Sequence, residues 1–349
     1  MKNLLPWLLL LAGPFIVSDL TTSRLVLAGF SILIFCREDF KVNPPGKWLL
    51  AWLGWSIICC LVSPYPQISI EGFHLRNEGL ATIIICFALA IFTKNFQYVI
   101  ALEVLGMIGL GILFMFEVCG HPLWPHIAEG ALSSVIGASA FCCEPLIFPV
   151  CFIYCLLVGS RAGMIGLMVG VIVLEMFVRK WKRLAIFLSI ISVIIALTPM
   201  GTRFLKYQLT TACAGARSGW IVQASERLYE RPIVGWGLDV QSRLLKPAAG
   251  QAWRHGGAMP DRVHFLPVEI AIQTGFVGLI LCCLALGSAI FHCLANKSFE
   301  NRLCLSVICA WIAFSLFNPS GIPATAFCLL AFFTIKPKDS NETRPKRNL

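Results

Sequence analysis

Long apolar runs, free of charge and separated by short polar breaks, make up most of the chain. Reading each run out to the nearest charge or turn residue gives twelve candidate spans, near 4–17, 25–35, 48–62, 80–92, 98–118, 131–143, 146–158, 163–177, 184–199, 265–291, 303–317 and 321–335. Runs of this kind predict membrane-spanning helices. Several between 131 and 177 fall short of the roughly 20 residues that a straight crossing needs, so one pair there is open to a re-entrant reading. An even number of spans puts both termini on one side. The expected fold is an all-α polytopic membrane protein of about twelve transmembrane helices, forming a single integral-membrane domain over residues 1–349.

Composition agrees. Of 349 residues, 58% are hydrophobic and 13% charged, and the mean hydropathy is +0.80. A water-soluble domain needs far more charge to cover its surface. Nearly all of the sixteen cysteines fall inside apolar runs, as at Cys59 with Cys60 and Cys282 with Cys283, and read as small hydrophobes rather than a disulfide scaffold. No CxxC pair and no HExxH occurs, so no metal site is expected.

Charge orients the chain. The segments "REDFKVNPPGK", "VRKWKR", "NKSFENR" and the tail "KPKDSNETRPKRN" carry three, four, two and five Lys or Arg, and Lys2 and Lys94 bring that side to sixteen. The opposite short loops hold only Arg24, Arg76 and Arg161. By the positive-inside rule the sixteen are cytoplasmic, which makes residues 336–349 a cytoplasmic tail. The net charge of +10 therefore reflects membrane orientation, and no nucleic-acid partner is expected. The first run also resembles a signal peptide, but its small-residue cleavage site is poor and retention is favoured.

One segment, residues 201–262, is long and mostly non-spanning, and it lies on the outside. It holds Arg203, Lys206, Arg217, Arg227, Arg231, Arg243, Lys246, Arg254 and Arg262 against four acids, a net +5. Long loops escape the orientation rule, so the patch calls for another cause. A diphosphate-linked lipid, clamped by forked guanidiniums, is one. Attraction to anionic headgroups is the other.

Three local patterns sharpen this. In "ARSGWIVQASERLYERPIVGWG", Trp220, Ala224 and Leu228 share one helical face, and a turn at Pro232, Gly235 and Gly237 follows. Such a helix lies along the interface, with Arg217 in its first turn. "GSRAG" places Arg161 in a tight turn between apolar runs, where a cation is costly and is a site candidate by default. In "VHFLPVEIAIQTGFVG", His264 stands at the outer mouth of a helix that is expected to run on past Gly275 and Gly278 to Phe291.

In this order the patterns resemble the O-antigen ligase and O-antigen polymerase family of membrane glycosyltransferases. The matches are Ser160, Arg161 and Gly163; Arg217 and Trp220; Pro232, Gly235 and Gly237; His264; and Gly275 with Gly278. "LRNEG", with Arg76, is similar to the family's early outside-loop element. Phe265 and Gln273 depart from the family's usual Asn or Ser and its frequent Glu. The resemblance implies a bacterial inner-membrane enzyme with its active site in the periplasm, in or beside the 201–262 segment, and both termini in the cytoplasm. It implies transfer of a glycan from undecaprenyl diphosphate to a hydroxyl of lipid A core, with His264 and Arg217 catalytic and Arg161, Arg76, Arg203 and Arg262 on the diphosphate. No cofactor or metal is expected, and the partners are the lipid-linked donor, the lipid A core or glycan acceptor and membrane lipids. Repeat-unit polymerisation and transfer to protein remain alternatives within the family. A transporter or flippase is the alternative outside it, but no internal repeat or mid-span charge favours one.

Overall fold

The computed structural model describes residues 42–72, 79–92, 152, 155, 161–178, 182, 185, 188–189, 211–246, 263, 265–316, 328–329 and 331–337. Every regular element among them is helical: α1 (Pro44–Leu61), α2 (Pro66–Glu71), α3 (Leu80–Phe92), α4 (Arg161–Val178), α5 (Thr211–Glu230), α6 (Gln241–Leu244), α7 (Leu266–Ala295) and α8 (Phe299–Ser315). Residues 331–334 are helical as well.

Five of the expected spans coincide with α1, α3, α4, α7 and α8, and within 321–335 residues 328–329 and 331–334 are helical. The runs at 4–17, 25–35, 98–118 and 131–143 lie outside the described residues, and 146–158 and 184–199 are nearly so. Among the described residues one helix, α7, is long and apolar enough to cross a membrane, and a shorter apolar helix covers Ala162–Met176. The count of twelve therefore stays with the apolar pattern of the sequence.

The apolar core forms where α4 packs along α8 and the C-terminal half of α7 joins them with α1 and α3. Phe87, Phe152, Leu167, Ile308 and Phe314 are fully buried there. Trp52 stacks on Phe87 with ring centroids 6.2 Å apart, and Phe333 meets the same ring edge-on. The hydroxyl of Ser306 donates to the Gly170 carbonyl at 2.8 Å, so α8 and α4 are tied by a polar contact as well. Cys59, Cys60, Cys86, Cys155, Cys293, Cys304 and Cys328 are buried free thiols, as their apolar surroundings in the sequence imply.

Asparagines lock one end of this bundle. Asn43 caps α1 through the Gly46 amide at 3.0 Å and donates to the Phe332 and Ile335 carbonyls at 2.7 and 2.8 Å. Asn301, fully buried, donates to the Asn296 and Lys336 carbonyls and accepts from the Lys336 amide at 2.8 Å. Lys336 also pairs with Glu300 at 2.8 Å. The start of α1, the α7–α8 connection and residues 335–337 thus meet at a single end.

A correction to the sequence expectation lies in α7, which is not continuous. Gly275 has φ +69° and ψ −177°, and the chain leaves helical geometry there before resuming it. A periodic apolar run predicts no such break, because the groups that stabilise it come from elsewhere in the chain.

Candidate functional site

The break in α7 is filled by the turn at 232–237. The Trp236 and Gly237 amides donate to the Ile272 and Gln273 carbonyls, both at 2.9 Å, and the Phe276 amide donates back to the Pro232 carbonyl at 2.8 Å. The next carbonyl, Thr274, accepts from the Trp55 indole of α1 at 2.8 Å, with the Cys59 thiol 3.8 Å away. Backbone groups freed in an apolar surrounding cost several kcal/mol if left bare, so these foreign partners are what allows the helix to break.

Glycines are required on both sides of the contact. At Gly235 (φ +64°) a Cβ would sit 2.6 Å from the Gln273 carbonyl, and at Gly275 it would overlap the carbonyl of Ile233. Both residues also have backbone angles that favour glycine. The two glycine patterns seen separately in the sequence are therefore the two halves of one backbone interface.

Its outer surface is clamped by the corner between α1 and α2. Ser63 donates to the Trp236 carbonyl at 2.5 Å and accepts from the Tyr65 amide and the Ser69 hydroxyl, each at 3.0 Å. A Cβ on Gly237 (φ +101°) would run into both serine hydroxyls. The Trp236 indole donates to the Arg227 carbonyl at 2.8 Å, in the last turn of α5. The Arg231 guanidinium lies 5.5 Å from the centre of the Trp236 ring and donates to the Val62 carbonyl at 3.2 Å.

From this junction a small apolar cluster extends to the N-terminal end of α7. Ala224 of α5, Val240, Leu244, Leu245, Val263 and Ile272 are buried together, with Trp236, Phe265 and Val268 packed on them. The face expected from Trp220, Ala224 and Leu228 is the buried one, since Ala224 and Leu228 are buried while Val222 and Tyr229 on other faces are exposed. Two side chains hold backbone amides in this region. Gln223 accepts from the Lys246 amide at 2.9 Å, and Gln241 accepts from the Val263 amide at 3.1 Å. Asp239 and Glu269 are buried carboxyls in the same region.

Of the expected site residues, Arg161 opens α4, while Arg217 lies beyond the first turn of α5 and not in it as expected, because the helix already starts at Thr211; the side chains of both are outside the described residues. Arg76, Arg203, Arg262 and His264 also lie outside them. The chain on both sides of His264 is described. Val263 is buried and held by Gln241, and Phe265 is the N-cap residue of α7, with Pro267 in its first turn. Among the nine basic residues of 201–262, Arg227 pairs with Glu230 at 2.8 Å and Arg231 is engaged with Val62 and Trp236. These two serve the fold, a use that net charge alone does not reveal. Gln241, Ser63 and Trp55 had no signal in the sequence, because each acts on a backbone group far away along the chain.

No curated protein and no solved structure matches the chain. Residues 146–283 match the family model described as O-antigen ligase, a stretch that holds α4, α5, the 232–237 turn, α6 and the break in α7. Over that stretch, which includes the turn and the helix break that the two glycine patterns build together, the chain is similar to the O-antigen ligase family.

Proposed function

We propose that the protein transfers a glycan from undecaprenyl diphosphate to a hydroxyl of lipid A core at the periplasmic face of the bacterial inner membrane. The observation that carries this reading is the O-antigen ligase match across 146–283, the stretch that holds the 232–237 turn and the break in α7 that it fills.

In this mechanism His264 takes the proton of the acceptor hydroxyl as its oxygen forms the new bond to the anomeric carbon. The bond from that carbon to the diphosphate oxygen breaks, and undecaprenyl diphosphate leaves with the electron pair. Arg217, with Arg161, Arg76, Arg203 and Arg262, neutralises the charge that develops there. A single displacement inverts the anomeric centre. The arginines supply the charge stabilisation, so no divalent ion takes part. The imidazole must be neutral to take the proton, so transfer should be lost at acid pH, where the ring is protonated.

Deleting the gene and resolving surface glycans on a gel tests the acceptor. A lost ladder over intact core supports ligation, whereas a single-repeat band points to a polymerase and overturns the choice of acceptor. His264→Ala and Arg217→Ala should each reduce transfer at least about a hundredfold with membrane insertion unchanged. Near wild-type glycan display on either variant removes that residue from the chemistry. Transfer should also survive EDTA, and a loss restored by added metal would contradict the arginine clamp.

A further inference from the structure

The geometry points to the break at Gly275 as the outer edge of the bilayer hydrocarbon, with the apolar faces of α1 and of α7 beyond the break docked on lipid acyl chains. Only the membrane location of the reading above is needed for this, not its transfer chemistry. Exposure along α7 changes at the break. From Phe265 to Gly275 no residue is exposed. Beyond it Phe276, Ile280, Leu284, Ile290, Phe291 and Leu294 are exposed and, with Gly287, follow the three- and four-residue spacing of one helical face. Every exposed residue from Phe276 to Ala295 is Phe, Ile, Leu, Cys, Gly or Ala. That arm is about 20 residues long, or about 30 Å, which is the thickness of a bilayer hydrocarbon core.

α1 repeats the pattern beside it. Its 18 residues cover about 27 Å, and Trp48, Ala51, Gly54, Ile58 and Leu61 are exposed along it, with Val62 just after. At the end where the asparagines gather, Lys47 beside Trp48 and Lys297 after Asn296 are exposed, as cations and indoles are at a membrane boundary. At the other end Arg231 donates to the Val62 carbonyl and the Phe276 amide to the Pro232 carbonyl, which brings Val62, Ile233 and Phe276 to one rim, with Ile233 62% exposed. Past that rim Pro64, Pro66 and Gln67 are exposed. A second copy of the chain is the competing occupant of such a face, but helix interfaces in membranes are built from small residues. In α7 the small residues Gly278, Ala285, Ala289 and Cys293 are buried, and the large ones face out, as contact with lipid requires. The arm before the break, packed through Val268 and Ile272 on Ala224 and Val240, then stands outside the hydrocarbon. The crossing is Phe276–Ala295 and not the 265–291 run that the sequence predicts.

The test places p-benzoyl-phenylalanine, one position at a time, at Phe276, Leu284 and Leu294 of full-length protein in vesicles of phosphatidylethanolamine and phosphatidylglycerol. After irradiation, mass spectrometry identifies what is crosslinked and at which acyl carbon. All three positions should yield lipid adducts. Leu284, mid-arm, should react toward the methyl end of the acyl chain, and Phe276 and Leu294 near the ester. A Phe276 adduct at the methyl end would put the break in mid-bilayer and overturn the inference. So would a crosslink to a second copy, or none to lipid, at Leu284. Lysine substitution reads the same depth through insertion. Leu284→Lys should lower the yield of folded, membrane-inserted protein at least about fivefold, whereas Phe276→Lys, whose ammonium reaches the headgroups, should keep about half or more. Equal yields for the two would also count against a boundary at the break.

Discussion

At the residue scale the strongest constraints are glycines that no other side chain can replace. Gly275 combines a positive φ with extended ψ, a region open almost only to glycine, and a Cβ there would overlap the Ile233 carbonyl. Strain of this kind is worth roughly 1–3 kcal/mol before any clash is added. Gly275→Ala should therefore lower the melting temperature in detergent and the yield of folded protein. Gly287, farther along the same helix, is the internal control. A Cβ there meets nothing within 4 Å, so Gly287→Ala should leave stability unchanged or raise it by up to ~1 kcal/mol. Equal losses for the two variants would show that the Gly275 geometry is not what glycine is needed for. The sequence marked Gly235, Gly237 and Gly275 as punctuation; which atoms press against them was not legible, because Gln273, Ile233 and, for Gly237, Ser63 and Ser69 all lie far away along the chain.

At the element scale, the turn and the broken helix satisfy one another's backbone, and α1 completes the arrangement through Trp55 and Ser63. Trp55→Phe removes the indole donor to the Thr274 carbonyl while keeping a large ring. Helix-to-helix hydrogen bonds in membranes average about 0.6 kcal/mol, and a buried carbonyl left bare costs about 1–3 kcal/mol. A loss of about 1 kcal/mol is expected, read as a lower melting temperature. Ser63→Ala removes one donor and the acceptor of two other groups, so its loss should be the greater. Should thermal unfolding of both variants overlay wild type, the corner would not be supporting the turn. Helix existence was legible here, since α1, α3, α4, α7 and α8 follow apolar runs, and the buried face of α5 followed its spacing. The break was not, because a run of apolar residues looks the same whether its ladder is intact or interrupted.

At the scale of the whole molecule, the start of α1, the α7–α8 connection and residues 335–337 gather at one end through Asn43, Asn296 and Asn301. The break at Gly275, Ser63 and Val263 belong to the other packing centre, around α5 and α6. The charge bias of the loops expects the basic segments to be cytoplasmic, so a reporter fused after Leu349 should be active only if its chemistry needs the cytoplasm. One inserted within 247–262 should be active only if it needs the periplasm. The same response from both sites would refute the orientation.

Taken alone, the amino-acid order determined which stretches must leave water, which of them form helices, and which residues follow one another in the pattern of an O-antigen ligase. Those properties are local, because hydrophobic runs, turn residues and motif order are each set within a few turns of chain. Only the tertiary structure decided that α7 breaks, that the 232–237 turn fills the gap, and that Gln241 accepts the Val263 amide proton. The physical reason is that a backbone group without its helical partner must find another in an apolar interior, and that partner comes from wherever folding has brought a donor or acceptor within reach.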